Sequence, residues 1–442
     1  MIRFLYNLFY PIGLLFFLPG QISKLVRRGN YRHKFGQRFG FYDREVRRRL
    51  ASRRCTWMHA VSVGEVAVAL KLAARLRELD QDFFCALTTT TTTGFQVATA
   101  GRSEDLEVLY SPLDFWPIIR RAFAVIRPVR ITLVEAEVWP NLAAEARSRR
   151  IPLVLVNARL SRRSEARFLR FGFLVRPTFA CLDAVCVQEA EDIQRWVTLG
   201  VSRQGIYHVG SIKYDPGEVK IQLDAPLAVL RDLGIAGDTP ILFGGSTHPD
   251  EEEILARIFQ ELRPEFPSLR LVIAPRHVER TRDIQARLER MGLKVRLRSD
   301  AIETPAAAPD CLVIDTTGEL PSWYAVATVV FIGKSLAARG GQNPVEPLLA
   351  GKPVLFGPHM ENFAALATAL LAHHAAVQVR DAAHLREEIA RLLRDPGAAA
   401  AMVTNATAVL SQHSGATQRT AEIIMRPSST HAADPAASSL GK

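Results

Sequence analysis

Three stretches of the first half carry residues able to do chemistry. The first, WMHAVSVGE over residues 57–65, runs from an apolar stretch through Ser62 and Gly64 to the carboxylate of Glu65. A carboxylate where a strand passes into a helix can take the proton of an acceptor hydroxyl. Ser62-x-x-Glu65 is equally the spacing of a helix-capping box, which needs no chemistry. Both readings stand at this point. The second is VEAEVWPN, residues 134–141, where Glu135 and Glu137 stand two apart on one side of an extended segment behind an apolar run. RLSRRS, residues 159–164, adds cations at the same edge of the expected sheet, and GSIKYD, residues 210–215, brings one lysine, Lys213.

The second half repeats a different theme. GGSTH (244–248), APRH (274–277) and DTTGE (315–319) each close an apolar run with small residues, and Arg276 offers a guanidinium that can fork onto an anion. Backbone N–H groups at helix starts suit phosphate. Gly340-Gly341 before Asn343-Pro344 reads as a phosphate turn entering a helix, which leaves Glu346 for a ribose diol. Gly333-Lys334-Ser335 mimics a P-loop, but Thr328 stands where its first glycine is required. There is no H-E-x-x-H and no His/Cys cluster at ligand spacing, so no metal is expected. Asp80-Gln81-Asp82 precedes its strand and reads as a turn, and the absence of G-x-S-x-G weighs against an α/β-hydrolase.

The elements that must position these groups alternate. Strands are predicted at 56–60, 83–89, 130–134, 153–157 and 184–188, with a helix over 66–79 among them. A Pro/Gly-rich break spans 216–239. Strands follow at 241–244, 271–274, 312–315 and 329–332, with helices at 251–262 and 278–291. Alternation of this kind predicts βαβ units on parallel sheets, here as two Rossmann-like α/β domains with the ligand in a cleft at the strands' carboxyl ends. The expected division is an anchor and basic collar at 1–54, an acceptor-binding domain at 55–215, a linker at 216–239, a donor-binding domain at 240–426 and a disordered tail at 427–442.

The 442 residues carry a net charge of +11, and its location matters. Residues 1–54 hold thirteen Lys/Arg against Asp43 and Glu45, while the rest of the chain balances. Ahead of this collar lies FLYNLFYPIGLLFFL, residues 4–18, with six aromatics. As a helix it reaches about 22 Å, short of the ~30 Å hydrocarbon core. Weighed against packing on the protein's own body or contact with nucleic acid, contact with an anionic membrane surface is the preferred reading. The five scattered cysteines predict a reduced, cytoplasmic setting without disulfides.

In order along the chain, HAVSVGE (59–65), EAEVWPN (135–141), NARLS (157–161), GSIKYD (210–215), Pro275–His277, Gly318-Glu319-Leu320 and GGQNPVE (340–346) resemble the 3-deoxy-D-manno-octulosonic acid (Kdo) transferases of lipid A biosynthesis, from the N-terminal segment to about residue 425. The resemblance implies a GT-B fold and an inverting glycosyltransferase. Its donor is CMP-Kdo and its acceptor a tetraacyl, bisphosphorylated lipid A precursor (lipid IVA) of lipopolysaccharide synthesis. It also implies that no metal or other cofactor is needed and that the enzyme sits on the cytoplasmic side of the inner membrane. By motif position it makes Glu65 the general base and Glu135 with Lys213 a transition-state-stabilising pair. Pro275, Arg276, Thr317, Gly318, Glu319, Asn343, Pro344, Val345 and Glu346 become CMP contacts. Gln342, Lys334 and Thr317 depart from the family's usual histidine, glycine and methionine, a variation expected to bear on CMP affinity. The competing expectations are a membrane-associated GT-B transferase using a UDP-sugar and a non-catalytic membrane or nucleic-acid adaptor.

Overall fold

Two parallel sheets account for the alternation. The computed structural model describes residues 3–13, 34–160, 162–215, 222–300 and 308–426. Residues 14–18 of the apolar run, collar residues Lys24, Arg27, Arg28 and Arg32, Ser161, the start of the linker at 216–221 and the tail at 427–442 lie outside them.

The first sheet contains β1 (Cys55–His59), β2 (Phe84–Thr89), β3 (Leu106–Tyr110), β4 (Pro128–Val134), β5 (Leu153–Ala158), β6 (Ala184–Val187) and β7 (Ile206–His208), in the order β3-β2-β1-β4-β5-β6-β7. All pairings are parallel, with His59 opposite Thr88 on one side and Leu133 on the other. β1, β2, β3, β5 and β6 are buried along their whole length, as expected of strands covered on both faces. The strand order reverses between β1 and β4. Such a switch point opens a crevice at the strands' carboxyl ends, and Glu65 and Glu135 follow these two strands.

The second sheet contains β8 (Ile241–Thr247), β9 (Arg270–Pro275), β10 (Val295–Leu297), β11 (Cys311–Val313), β12 (Val329–Ile332), β13 (Val354–Phe356) and β14 (Val377–Gln378), ordered β10-β11-β9-β8-β12-β13-β14 and again parallel. Its switch point lies between β8 and β12, whose ends carry His248 and Lys334.

The boundaries differ from the sequence reading in two ways. The segment expected to be linker contains the helix Asp224–Asp232, which buries Pro226 and Leu230. The chain divides by contacts into 1–215 with 413–442 and, separately, 216–412, so the helix Ala416–Met425 belongs to the first unit and not to the donor domain. Ala421, Ile423 and Ile424 pack there with Val66, Ala69 and Leu72 of the helix Val63–Leu79. The Asp215 carboxylate accepts from Gly415 N (3.0 Å) and Thr417 N (2.7 Å) to fix the return.

The N-terminal segment also departs from expectation. Residues 3–13 form a helix that packs on the body, the alternative the sequence reading had set second. Arg3 Nε (3.0 Å) and Asn7 Nδ2 (2.8 Å) donate to Asn141 Oδ1, and Tyr10 stacks on Phe115 at 5.7 Å. Other apolar side chains of the helix stay exposed, with Phe4 at 70% and Leu8 at 54%. Among the described residues no helix is long and apolar enough to cross a membrane. Part of the collar also turns inward. Arg49 meets Glu107 at 2.9 Å, Arg53 meets Asp105 at 3.2 Å and Arg38 lies over Tyr110, whereas Arg44, Arg47, Arg48 and Arg54 face solvent.

Candidate functional site

In the first unit, Glu65 occupies the third position of the helix Val63–Leu79 and is nearly buried, at 7% exposure. The capping box forms in full: Ser62 Oγ accepts from Glu65 N at 3.3 Å, and the Glu65 carboxylate accepts from Ser62 N at 3.2 Å and Val61 N at 2.9 Å. These bonds hold the two oxygens toward the switch point, and a carboxylate's roughly four acceptor sites leave two for a hydroxyl. Capping and catalysis are therefore compatible.

Glu135 comes off β4 in the left-handed region (φ 62°), with its N–H bonded to Val156 O at 2.9 Å. A non-glycine residue there is uncommon and is strained unless its surroundings hold it. Burial pushes the Glu135 carboxyl above the usual range and the Glu65 charge adds to that, while Arg159 and Lys213 oppose it. Burial, Glu65 and Glu135 raise Glu137 in the same way. Burial lowers Lys213; Glu135 pulls it back up and Arg159 pushes it further down. Three carboxylates and two cations thus feel one another, and the three residues expected to act together are gathered.

The second unit gathers cations. His248, at the end of β8, is lowered to about 4, first by burial and then by Lys334, His277, Arg280 and Arg276. Its Nε2 lies 3.1 Å from Gln342 Nε2, and its ring meets His277 edge-on at 5.8 Å. Arg276 N donates to Thr247 O at 3.0 Å, tying the end of β9 to β8. Backbone shape does the rest: a Cβ on Gly333 would come within 2.3 Å of Ser246 O, and Gly341 (φ 69°) would drive one into Met360. Asn343 Nδ2 donates to Glu346 at 3.1 Å, and Asn343 Oδ1 accepts from Val345 N to open the helix Val345–Leu349 on Pro344. Burial raises Glu346, while Asn343 opposes the shift. Gly318 (φ 86°) turns the chain after Thr317, and Glu319 pairs instead with Arg298 (3.4 Å) and Trp323 Nε1 (3.2 Å).

A family model described as 3-Deoxy-D-manno-octulosonic-acid transferase (kdotransferase) matches residues 33–216. A 3-deoxy-D-manno-octulosonic acid transferase of Bordetella pertussis is 34% identical over 377 residues, 83% of this chain and 86% of the relative. Those of Haemophilus influenzae (403 residues; 90% and 92%) and Chlamydophila psittaci (428 residues; 96% of each) are both 30% identical. The chain belongs to the 3-deoxy-D-manno-octulosonic acid transferase family. It is a glycosyltransferase. Among solved structures it is similar to UDP-GlcNAc 2-epimerase from Neisseria meningitidis bound to UDP-GlcNAc (TM-score 0.53, 12% identity, 84% of this chain and 100% of that one). It is also similar to Anabaena Alr3699/HepE in complex with UDP (0.51, 14%, 84% and 98%). At these identities the likeness establishes the fold, GT-B.

For this Kdo transferase family member, the sequence reading missed the residues that hold the site in place. Asn157 (φ 51°) is buried; its Oδ1 accepts from Ile212 N at 3.1 Å and Ser211 Oγ at 3.3 Å, so NARLS fixes the loop that presents Lys213. Lys71 Nζ donates to the carbonyls of Ile212 and Asp215 from the other side. Glu251, fully buried, takes N–H bonds from His248, Lys334, Ser335, Leu336 and Ala337, binding the ends of β8 and β12 together. An acid beginning a helix reads as a dipole partner, and nothing in its neighbours announces four donors from a loop some 85 positions on. His59, the last residue of β1, is core: Nδ1 meets Thr88 Oγ1 at 3.0 Å, and burial lowers the ring to about 4. Asp80 Oδ1 accepts from Asp82 N, a turn at the amino end of β2. Among the described residues no group of three or more His, Cys, Asp or Glu could hold a metal ion.

Proposed function

We propose that this enzyme transfers Kdo from CMP-Kdo to the phosphorylated, acylated lipid A precursor with inversion, at a membrane surface. One observation carries the reading: Glu65, Glu135 and Lys213 converge at the β1/β4 switch point of a chain whose relatives are named Kdo transferases. The acceptor hydroxyl attacks the anomeric carbon of Kdo as the bond to the CMP phosphate breaks. The hydroxyl proton goes to Glu65 and the electron pair leaves on CMP. Positive charge develops on the sugar and negative charge on the leaving phosphate. Glu135 is assigned to the first and Lys213 to the second.

On the donor side, Pro275-Arg276, Thr317-Gly318-Glu319 and Asn343-Pro344-Val345-Glu346 hold CMP, with Glu346 for the ribose diol and the Lys334 cation near phosphate. No metal takes part in this scheme. The exposed apolar face of residues 3–13 and the outward arginines 44, 47, 48 and 54 suit an anionic leaflet. The test is direct: incubate the purified chain with CMP-Kdo generated in situ and the lipid precursor, and read product mass. An increment of one or more Kdo units supports the reading. Transfer from a UDP-sugar instead, or from neither donor, overturns it.

A further inference from the structure

We propose that the groove beneath the N-terminal helix holds one fatty acyl chain of the lipid acceptor, an inference that rests on the lipid-acceptor reading above. The cavity, about 590 Å³, lies between residues 3–13 and the helices Pro140–Ser148 and Gly172–Phe179; Leu5, Phe9, Ala144, Leu174, Val175 and Phe179 line it. Its size is that of a ligand pocket, roughly 300–1,000 Å³. Its walls are apolar almost throughout, which suits hydrocarbon and not a sugar or a nucleotide.

Three features select the acceptor's chain as occupant. Two segments that supply its walls, residues 3–13 and 168–181, also expose Phe4, Leu8, Leu169, Phe171 and Phe173, apolar side chains that face lipid more favourably than water. Arg3, on the cavity wall, shares the single carboxylate of Glu145 (3.6 Å) with Arg149 (2.7 Å) and Arg120 (4.0 Å). Three guanidinium groups against Glu145 and Asp114, the latter also facing Arg3, leave an excess of positive charge for a lipid phosphate. Finally, Val138 and Pro140 of the wall directly follow Glu135 and Glu137, at most about 10 Å of chain from Glu135 to Val138. A chain lying in the groove therefore tethers its headgroup beside the acidic site. Asn7 and Asn141 fasten the lid of this groove: Asn141 Nδ2 donates to Asn7 Oδ1 at 3.0 Å, and Asn7 Oδ1 also accepts from Trp116 N at 3.0 Å.

The test uses the full chain, acceptors whose acyl groups shorten stepwise to none, and the groove-filling variants Ala144→Trp and Thr178→Phe on opposite walls. For the wild type, kcat/KM falls as the chains shorten, since each buried methylene is worth roughly fourfold in affinity. Both variants raise KM for the full-length acceptor at least tenfold, keep kcat within twofold and flatten the dependence on length, with nucleotide affinity and vesicle binding unchanged. Wild-type kcat/KM independent of chain length, or variants that keep the slope, overturns the groove. Loss of vesicle binding in the variants assigns it to bilayer lipid and overturns the acceptor assignment. If the wild type transfers to no acceptor, the functional reading has failed. The groove is then judged on binding of the acylated precursor alone, which both variants must weaken.

Discussion

Replacing Glu65 by Gln separates its two roles because they cost different amounts. The side chain accepts one N–H bond on each oxygen, from Val61 and Ser62. Glutamine keeps one acceptor oxygen, so the cap loses one charge-assisted bond and sets an amide against a donor, about 1–2 kcal/mol of stability. A helix cap alone then predicts a melting temperature lower by a few degrees and near-normal turnover of the folded protein. A general base predicts a loss of 10²–10⁴ in kcat, about 3–5 kcal/mol of transition-state stabilisation, with CMP affinity unchanged because the residues proposed to hold the nucleotide lie in the other unit.

The assay is steady-state transfer at saturating acceptor, with calorimetric CMP binding and thermal unfolding on the same preparation. A second readout is electrostatic: Glu65 raises the carboxyls of Glu135 and Glu137, so its neutralisation lowers both. Glu65→Ala is expected to abolish transfer while CMP still binds. Turnover by Glu65→Gln within threefold of the wild type would return Glu65 to capping and end its role as base.

Lys213→Ala should lose 10²–10³ in kcat and move the acid limb of the pH–rate profile upward, because Lys213 holds the Glu135 carboxyl down; an unmoved limb would contradict the pairing. Lys334→Gly removes a charge that depresses His248, so the His248 ring should titrate higher by NMR, and CMP should bind roughly 3–10-fold more weakly with a shallower salt dependence. Exhaustive chelation should leave transfer unchanged; loss restored by a divalent cation would refute the metal-free scheme. Asp114, buried beneath the N-terminal helix, is raised to about 6 by burial against an ordinary 3.8. A carboxyl raised on folding contributes stability that is full below its unfolded value and lost as pH rises through its folded one. From pH 7 to pH 5 the wild type should therefore gain about 1.4 kcal/mol over Asp114→Asn in urea unfolding.

The sheets were legible because buried parallel strands are written as short β-branched runs. Residues 241–244 and 329–332 read as strands from composition alone, and β8 and β12 stand there. β3 (LEVLY), β7 (IYH), β10 (VRL), β13 (VLF) and β14 (VQ) were missed. The last four run only two or three residues, and LEVLY interrupts its apolar run with Glu107, a buried acid that answers Arg49 from a distant segment. No local pattern encodes such a partner.

The same asymmetry governs the site. The groups proposed to do chemistry sit at strand ends, where an apolar run stops abruptly at Glu135 or Arg276, and the change of composition marks them. Groups that hold the chemistry in register are recognisable only by their bonds. Asn157 looks like a strand terminus until its amide oxygen is found carrying the Lys213 loop, and Glu251 looks like a dipole partner until five N–H groups converge on it. The N-terminal run was ambiguous for a related reason: Asn7 breaks the apolar stretch and Arg3 stands just ahead of it. In the structure they are the two polar points by which that helix grips Asn141, so one helix both rests on the body and keeps an apolar face outward. A periodicity argument asks which single environment a helix faces, and this one faces two.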